Sequence, residues 1–186
     1  MKKFTLTHRL LHWTIGISMI MLFLTGFLRM EWMSKKNLSA LITNEVSKEG
    51  LNISDATLKT IGRSSLEPMW QWHEIFAYIA LALFAIRIVY MLAKGIRFPN
   101  PLKSHSTSEK FQGIIYMIFY LLMLINIVTG FYLMWGNGTY KDPMEELHKT
   151  AIYWFPIFFL IHLIGVIIDE VNKNSGIVSK MINGKD

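Results

Sequence analysis

The chain contains no cysteine among its 186 residues. Disulfides, thiolate metal sites, cysteine-held iron–sulfur clusters and a cysteine nucleophile are therefore excluded. Any redox chemistry in this protein must depend on another type of ligand.

Charged residues are also scarce, at 17% of the chain, whereas an average soluble domain has about 25%. Hydrophobic residues make up 52%, and the mean hydropathy is +0.34. This composition excludes a disordered chain and a standard water-soluble enzyme domain, and the length suits a single domain. In so apolar a chain, the net charge of +6 usually reports membrane orientation rather than nucleic-acid binding.

Four stretches are long and apolar enough to cross a bilayer, which takes about 20 residues. The predicted spans are about 10–30, 72–94, 112–136 and 148–170. Pro156 interrupts the fourth, which a membrane helix tolerates at the cost of a kink. The predicted fold is an all-α membrane protein, a four-transmembrane-helix up-down bundle that forms one domain over residues 1–186.

A signal peptide is the alternative for the first span, because Lys2 and Lys3 precede an apolar run. The run is too long for a signal peptide, contains His12 and lacks a cleavage site of small residues. We therefore interpret it as a membrane span.

Basic residues flank the spans unevenly, and cytoplasmic flanks are the ones that carry lysine and arginine. The N-terminal flank, the loop between spans two and three, and the tail hold these residues: Lys2, Lys3, Arg9, Lys94, Arg97, Lys103, Lys110, Lys173, Lys180 and Lys185. We predict a multi-pass membrane protein with both termini in the cytoplasm.

Residues 31–71 form the one sizeable external segment of the prediction. Ser54 and Asp55 are suited to start a short helix that ends at about Ile61. The segment is too short for a catalytic domain of its own, so we expect a solvated loop, with a lid or a docking surface as alternatives.

Ionisable side chains are costly inside a membrane, so histidines in spans are candidate functional residues. In the predicted orientation, His12 lies near the cytoplasmic face and His73 near the outer face. His148 lies at the outer end of span four. His162 follows 14 residues later, about 21 Å deeper and on nearly the same side of a helix. The four histidines thus form an inner level (His12, His162) and an outer level (His73, His148).

Two levels of paired imidazoles suit two haems b, each held by one ligand above and one below its iron. Such ligation leaves no open position for oxygen or substrate, which favours electron transfer. Gly26 and Gly130, each within a Thr-Gly-Phe sequence, are candidates for the close approach of a flat macrocycle. Arg87, 14 residues after His73, is a candidate partner for a haem propionate.

Other interpretations of the same residues remain open. The histidines and the Thr-Gly pairs are also typical of plain helix packing. Arg87 is also consistent with a snorkelling residue near the membrane surface. His8 lies one turn before His12 on the same face and is an alternative ligand. Histidine alone also suits zinc or copper, although such sites usually cluster more closely or add carboxylates.

The histidine pattern resembles the bacterial cytochrome b561 superfamily. The similarity lies in Arg9-x-x-His12-Trp13 of span one, His73 at the start of span two, and the span-four pair His148 and His162. The C-terminus, with Asp169-Glu170 followed by residues 175–184, is similar to the b-type cytochrome subunit of nickel–iron hydrogenases. The resemblance covers all four spans but not residues 33–70.

The resemblance implies a bacterial inner-membrane protein with two haems b, which transfers electrons between the quinone pool and a partner that docks on the external side. The partner is expected to be a hydrogenase or another dehydrogenase, with this chain as an electron-transfer subunit rather than an independent enzyme. The first loop is longer than in stand-alone members. No hydrogenase-specific contact can be identified in the sequence, so the partner stays open. Alternatives are a stand-alone superoxide or quinone oxidoreductase of the same fold and a non-redox transport or packing module.

Overall fold

The computed structural model describes residues 4–95, 99–173 and 176–184. Several residues used in the sequence analysis lie outside these ranges, namely Lys2, Lys3, Arg97, Ser175 and Lys185.

The described chain consists of seven helices joined by short connections, without a strand in the described ranges. The helices are α1 (Leu6–Met30), α2 (Lys35–Lys48), α3 (Asp55–Lys94), α4 (Thr107–Trp135), α5 (Lys141–Lys149), α6 (Ala151–Lys173) and α7 (Ile177–Asn183). The predicted all-α class is confirmed.

Four helical stretches are long and apolar enough to cross a membrane: α1, α3, α4 and the α5–α6 stretch Lys141–Val171. Each overlaps one of the predicted spans, and α4 ends one residue before the predicted end of the third span. Large apolar side chains on these helices, such as Val89, Leu121 and Ile164, are exposed. Contiguous apolar surface is unfavourable in water, so the surface of these helices fits a lipid environment.

Helix α3 corrects the prediction for residues 31–71. It begins at Asp55, where Ser54 Oγ accepts a hydrogen bond from the Thr57 N–H at 3.2 Å. It does not end near Ile61 but continues through Pro68 to Lys94. Forty residues make a helix of about 60 Å. Leu66, two residues before this proline, is 1% exposed, and tertiary packing of this kind supplies most of the stability of helices in proteins.

Helix α2 also replaces the expected solvated loop. Ser34 Oγ accepts from the Asn37 N–H at 3.3 Å, which is a standard N-terminal cap. The Asn37 side chain in turn donates to the Glu31 carbonyl at 2.8 Å, tying the new helix to the end of the preceding one. The external segment of the prediction is therefore largely helical.

The predicted fourth span is divided at Thr150, which separates α5 from α6. Thr150 keeps right-handed helical angles (φ −58°, ψ −18°), and its hydroxyl donates to the Leu147 carbonyl at 2.7 Å. His148 thus lies on α5 and His162 on α6. The 14-residue spacing does not run along one uninterrupted helix.

The chain divides into two compact units. The smaller unit comprises Ser18–Ile79, and the larger comprises Met1–Ile17 with Ala80–Asp186. In the larger unit, α4 packs against α5 and α6, and α7 packs against α6. Arg9 Nη1 donates to the Ile182 carbonyl at 2.8 Å, which attaches α7 to the first turns of α1.

Candidate functional site

In the larger unit, the rings of His12 and His162 lie next to each other, with centroids 5.8 Å apart and planes at 48°. Phe158 stacks on His162 at 6.1 Å, and Trp13 contacts His12 edge-on at 5.6 Å. Both histidines are partly buried. Two imidazoles on opposite sides of one metal ion have centroids about 6 Å apart when each metal–nitrogen bond is near 2 Å, as at zinc. The observed separation fits one shared metal ion.

Arg87 lies in the same unit as this pair, in a small polar cluster. Its Nη1 donates to His8 Nδ1 at 3.1 Å, and its Nε donates to the Tyr120 hydroxyl at 3.2 Å. Arginine is donor-only, so His8 Nδ1 must be the acceptor here. His8 therefore contacts Arg87, whereas His12, one turn later, lies against His162.

His148 is partly buried against α4 in the larger unit. Its Nδ1 lies 3.2 Å from Thr129 Oγ1 and 3.2 Å from the Asn126 carbonyl oxygen. A carbonyl oxygen only accepts, so Nδ1 carries the proton. The lone pair of the ring is then on Nε2, which is the nitrogen available for a metal bond in this tautomer.

Within the smaller unit, two neighbours orient the side chain of His73. Its Nδ1 lies 2.7 Å from Thr25 Oγ1. The indole of Trp70 stacks on the imidazole, with centroids 5.2 Å apart and planes at 6°, and Arg29 Cζ lies 4.7 Å above the Trp70 ring. The side chain is thus oriented by a hydrogen bond on one atom and by an aromatic face.

The two candidate glycines lie beside these two histidines. A Cβ at Gly130 would come within 2.9 Å of His148 Cε1, whereas a Cβ at Gly26 would have His73 Cε1 as its nearest neighbour at 3.9 Å. A side chain at Gly130 would therefore collide with the imidazole, and one at Gly26 would make an ordinary contact.

A sequence model of the family described as prokaryotic cytochrome b561 matches residues 3–184 of the chain. The chain belongs to this family. The members are membrane electron-transport proteins that form helical bundles and bind haem, and the resemblance to a hydrogenase b-type subunit is supported by the same match. No curated protein and no solved structure matches the chain.

The chain is accordingly a multi-pass membrane b-type cytochrome, and its described residues fit the cofactor of the family. No group of three or more histidines, cysteines or carboxylates that suits a metal ion occurs in the described ranges. A pair of imidazoles is, however, the donor set that haem iron requires, because the porphyrin supplies the other four nitrogens. Asn126 Oδ1 and Trp154 Nε1 are buried without a hydrogen-bond partner in the described part of the chain, as expected beside a bound group. The Asn126 carbonyl contacts His148, whereas the Trp154 ring contacts Phe119.

The sequence analysis missed the two threonines that contact histidines, Thr25 and Thr129. The signal was present as the repeated Thr-Gly-Phe at residues 25–27 and 129–131, which we interpreted as room for a flat macrocycle or as plain helix packing. It also missed Tyr120, which bonds to Arg87 at a separation of 33 residues, and Trp70, which stacks on His73. No spacing in the sequence connected either residue to its partner.

Proposed function

We propose that this cytochrome holds two haems b and relays single electrons between the quinone pool and an external redox partner. The inner haem would be held by His12 and His162, and the outer haem by His73 and His148. Haem b bound by two imidazoles supplies one-electron transfer between ferric and ferrous iron.

The observation that carries the proposal is the 5.8 Å separation of the His12 and His162 rings in a chain that belongs to a haem-binding family. Stacking by Phe158 orients His162 and limits the angles from which a planar group approaches. With His12 and His162 both bound to the iron, the haem would have no open position for oxygen or substrate.

The geometry favours His12 over His8 as the inner ligand. His8 accepts a hydrogen bond from Arg87 on Nδ1, whereas His12 lies against His162. Arg87 is partly buried, and its guanidinium contacts His8, which lies one helical turn before His12. It is therefore well placed to pair with a propionate of the inner haem.

For the outer haem, the support comes from each histidine separately. His148 has its Nδ1 proton directed at an acceptor, and His73 has a hydroxyl at the same ring atom. Metal-bound histidines almost always donate their second nitrogen to such a partner. The assignment of both to one haem comes from the matched outer positions in the sequence.

The haem content of detergent-purified protein tests this proposal. A pyridine haemochrome assay should give about two haems b per chain, with the sharp low-spin bands of bis-histidine ligation in the reduced-minus-oxidised spectrum. His8→Ala should retain both haems, as should His105→Ala, which changes an exposed histidine in a loop. A chain that takes up no haem when haem is plentiful contradicts the proposal and favours a packing or transport module.

The quinone link is the next part of the proposal. Reduction of a quinone to a quinol consumes two electrons and two protons, so proton-carrying groups are needed near the inner haem. His8 and Tyr120, both bonded to Arg87, are such groups. Anaerobic addition of a short-chain quinol to the oxidised protein should produce the reduced haem bands, or addition of the quinone to the reduced protein should remove them. A spectrum that changes in neither experiment contradicts the quinone link.

An external partner can dock on residues 31–71 only if this segment lies on the external side of the membrane, which places both termini in the cytoplasm. The absence of native cysteine allows a clean test with single cysteines and a membrane-impermeant maleimide on intact spheroplasts. Lys48→Cys on exposed α2 should be labelled at once, and Lys103→Cys between α3 and α4 only after permeabilisation. The reverse pattern would exclude an external partner at residues 31–71.

A further inference from the structure

Two threonines lie against the two histidines assigned to the outer haem. Thr25 is 8% exposed and Thr129 is 2% exposed, so both hydroxyls are buried. Each Oγ1 lies within hydrogen-bond distance of an imidazole Nδ1, at 2.7 Å from His73 and 3.2 Å from His148. One pair lies in the smaller unit and the other in the larger unit, so the two arrangements are independent observations.

The direction of the Thr25 bond follows from a count of protons. The Thr25 hydroxyl donates to the Met21 carbonyl at 2.8 Å, with Leu22 as a second acceptor at 3.1 Å. A hydroxyl has a single proton, so Oγ1 must accept in its contact with His73. His73 is therefore protonated on Nδ1, and its Nε2 has the lone pair that binds a metal.

Thr129 follows the same rule on α4. Its hydroxyl donates to the Ile125 carbonyl at 2.8 Å, which leaves Oγ1 as an acceptor for the His148 Nδ1–H. The Asn126 carbonyl, 3.2 Å from the same nitrogen, is a second acceptor. His148 thus has the same tautomer as His73, fixed by two oxygen atoms instead of one.

A glycine follows each threonine, Gly26 beside His73 and Gly130 beside His148. The missing Cβ makes necessary room only at Gly130, where a Cβ would lie 2.9 Å from His148 Cε1, whereas at Gly26 it would lie 3.9 Å from His73 Cε1. The feature that the two sites share is therefore the threonine acceptor.

We propose that Thr25 and Thr129 are positioning residues that hold His73 and His148 in the metal-binding tautomer and lower the reduction potential of the outer haem. An acceptor on Nδ1–H makes the imidazole a stronger donor to the metal. A stronger donor favours ferric over ferrous iron and so lowers the potential. The inference rests on the proposed function, because it needs both histidines to bind one haem.

Thr25→Val and Thr129→Val test the proposal, because valine keeps the branched shape and removes the hydroxyl. Both variants should retain two haems and should favour reduction of the same haem. We expect a change of up to about tenfold in its ferric–ferrous equilibrium constant, or about 59 mV for one electron. Thr129→Val should have the smaller effect, since the Asn126 carbonyl still accepts from His148. The low-spin g-values of that haem in electron paramagnetic resonance should change too.

Thr60→Val is the matched control on α3. Thr60 makes the same bond to the carbonyl four residues earlier, Ala56, at 3.0 Å, and its side chain is exposed. The haem reduction potentials of the Thr60→Val variant should equal those of the wild type. Thr25→Ser and Thr129→Ser keep the acceptor and should restore wild-type potentials, which a purely structural role for the methyl group would not produce.

The outcomes separate this inference from the proposed function. Two haems in every variant with unchanged potentials would overturn the inference and leave the two-haem proposal intact. Shifts in different haems would overturn the inference and also the assignment of His73 and His148 to one haem. A wild type without two haems overturns the proposed function first, and the inference with it.

Discussion

His12 and His162 lie ring against ring, whereas His73 and His148 each lie against a threonine. In the described residues, ring contacts rather than side-chain hydrogen bonds orient the first two. The other two have an acceptor at Nδ1. Ring packing restricts where an imidazole lies, but a hydrogen bond also determines which nitrogen carries the proton. The proposed inner and outer haems should therefore respond to different substitutions.

The largest expected effect is loss of one haem when a ligand is removed. His148→Ala should lose the outer haem and retain the inner one, and His162→Ala should do the reverse. Haem content and the reduced-minus-oxidised spectrum of each purified variant measure this, with His105→Ala as the control. If both variants lose the same haem, the two sites are not separate.

A smaller effect should distinguish the two glycines. Gly130→Ala places a methyl group 2.9 Å from His148 Cε1, and such overpacking costs about 1–3 kcal/mol. We expect partial loss of the outer haem, measured as haem per chain. In Gly26→Ala, the new Cβ would lie 3.9 Å from His73 Cε1, its nearest neighbour, so the protein itself should accommodate it. Equal loss in both variants would contradict this difference and would indicate a macrocycle packed on Gly26.

Arg87→Leu should change the inner haem without removing it. A nearby positive charge favours the ferrous state, so its removal should lower the potential. A charge interaction of about 1 kcal/mol at an effective dielectric constant of 20 corresponds to roughly 40 mV for one electron. Spectroelectrochemical titration measures the shift, and Arg87→Lys should largely preserve the wild-type value. An unchanged or raised potential argues against a propionate contact.

Trp70→Phe should have the smallest effect. Phenylalanine keeps an aromatic face on His73 but weakens the contact with Arg29, and an exposed cation–π contact is worth about 0.5–1 kcal/mol. Haem content should stay at the wild-type value, and the midpoint of thermal loss of the haem bands should fall by a few degrees. Loss of the outer haem would show that Trp70, rather than Thr25, holds His73.

The helices and the candidate ligands could be predicted from the sequence because their signals are local. Long apolar runs predicted the spans, and the cost of histidine in such runs singled out His12, His73, His148 and His162. The start of α3 followed from Ser54, but its continuation did not. The helix continues past Pro68 beside the buried Leu66, and no local pattern reveals such tertiary packing.

The threonine contacts could not be predicted for a similar reason. Thr25 and His73 are 48 residues apart, and Thr129 and His148 are 19 apart. A Thr-Gly pair in a membrane helix is common as a packing device, so the repeat alone carried little information. Only the contacts identify which ring each threonine faces.

Double variants test the pairing of the four histidines most directly. The account predicts that His12→Ala combined with His162→Ala removes one site and retains about one haem per chain. His12→Ala combined with His148→Ala removes one ligand from each site and should retain none. If the second double variant keeps a haem and the first keeps none, the ligands are paired differently and the account is wrong.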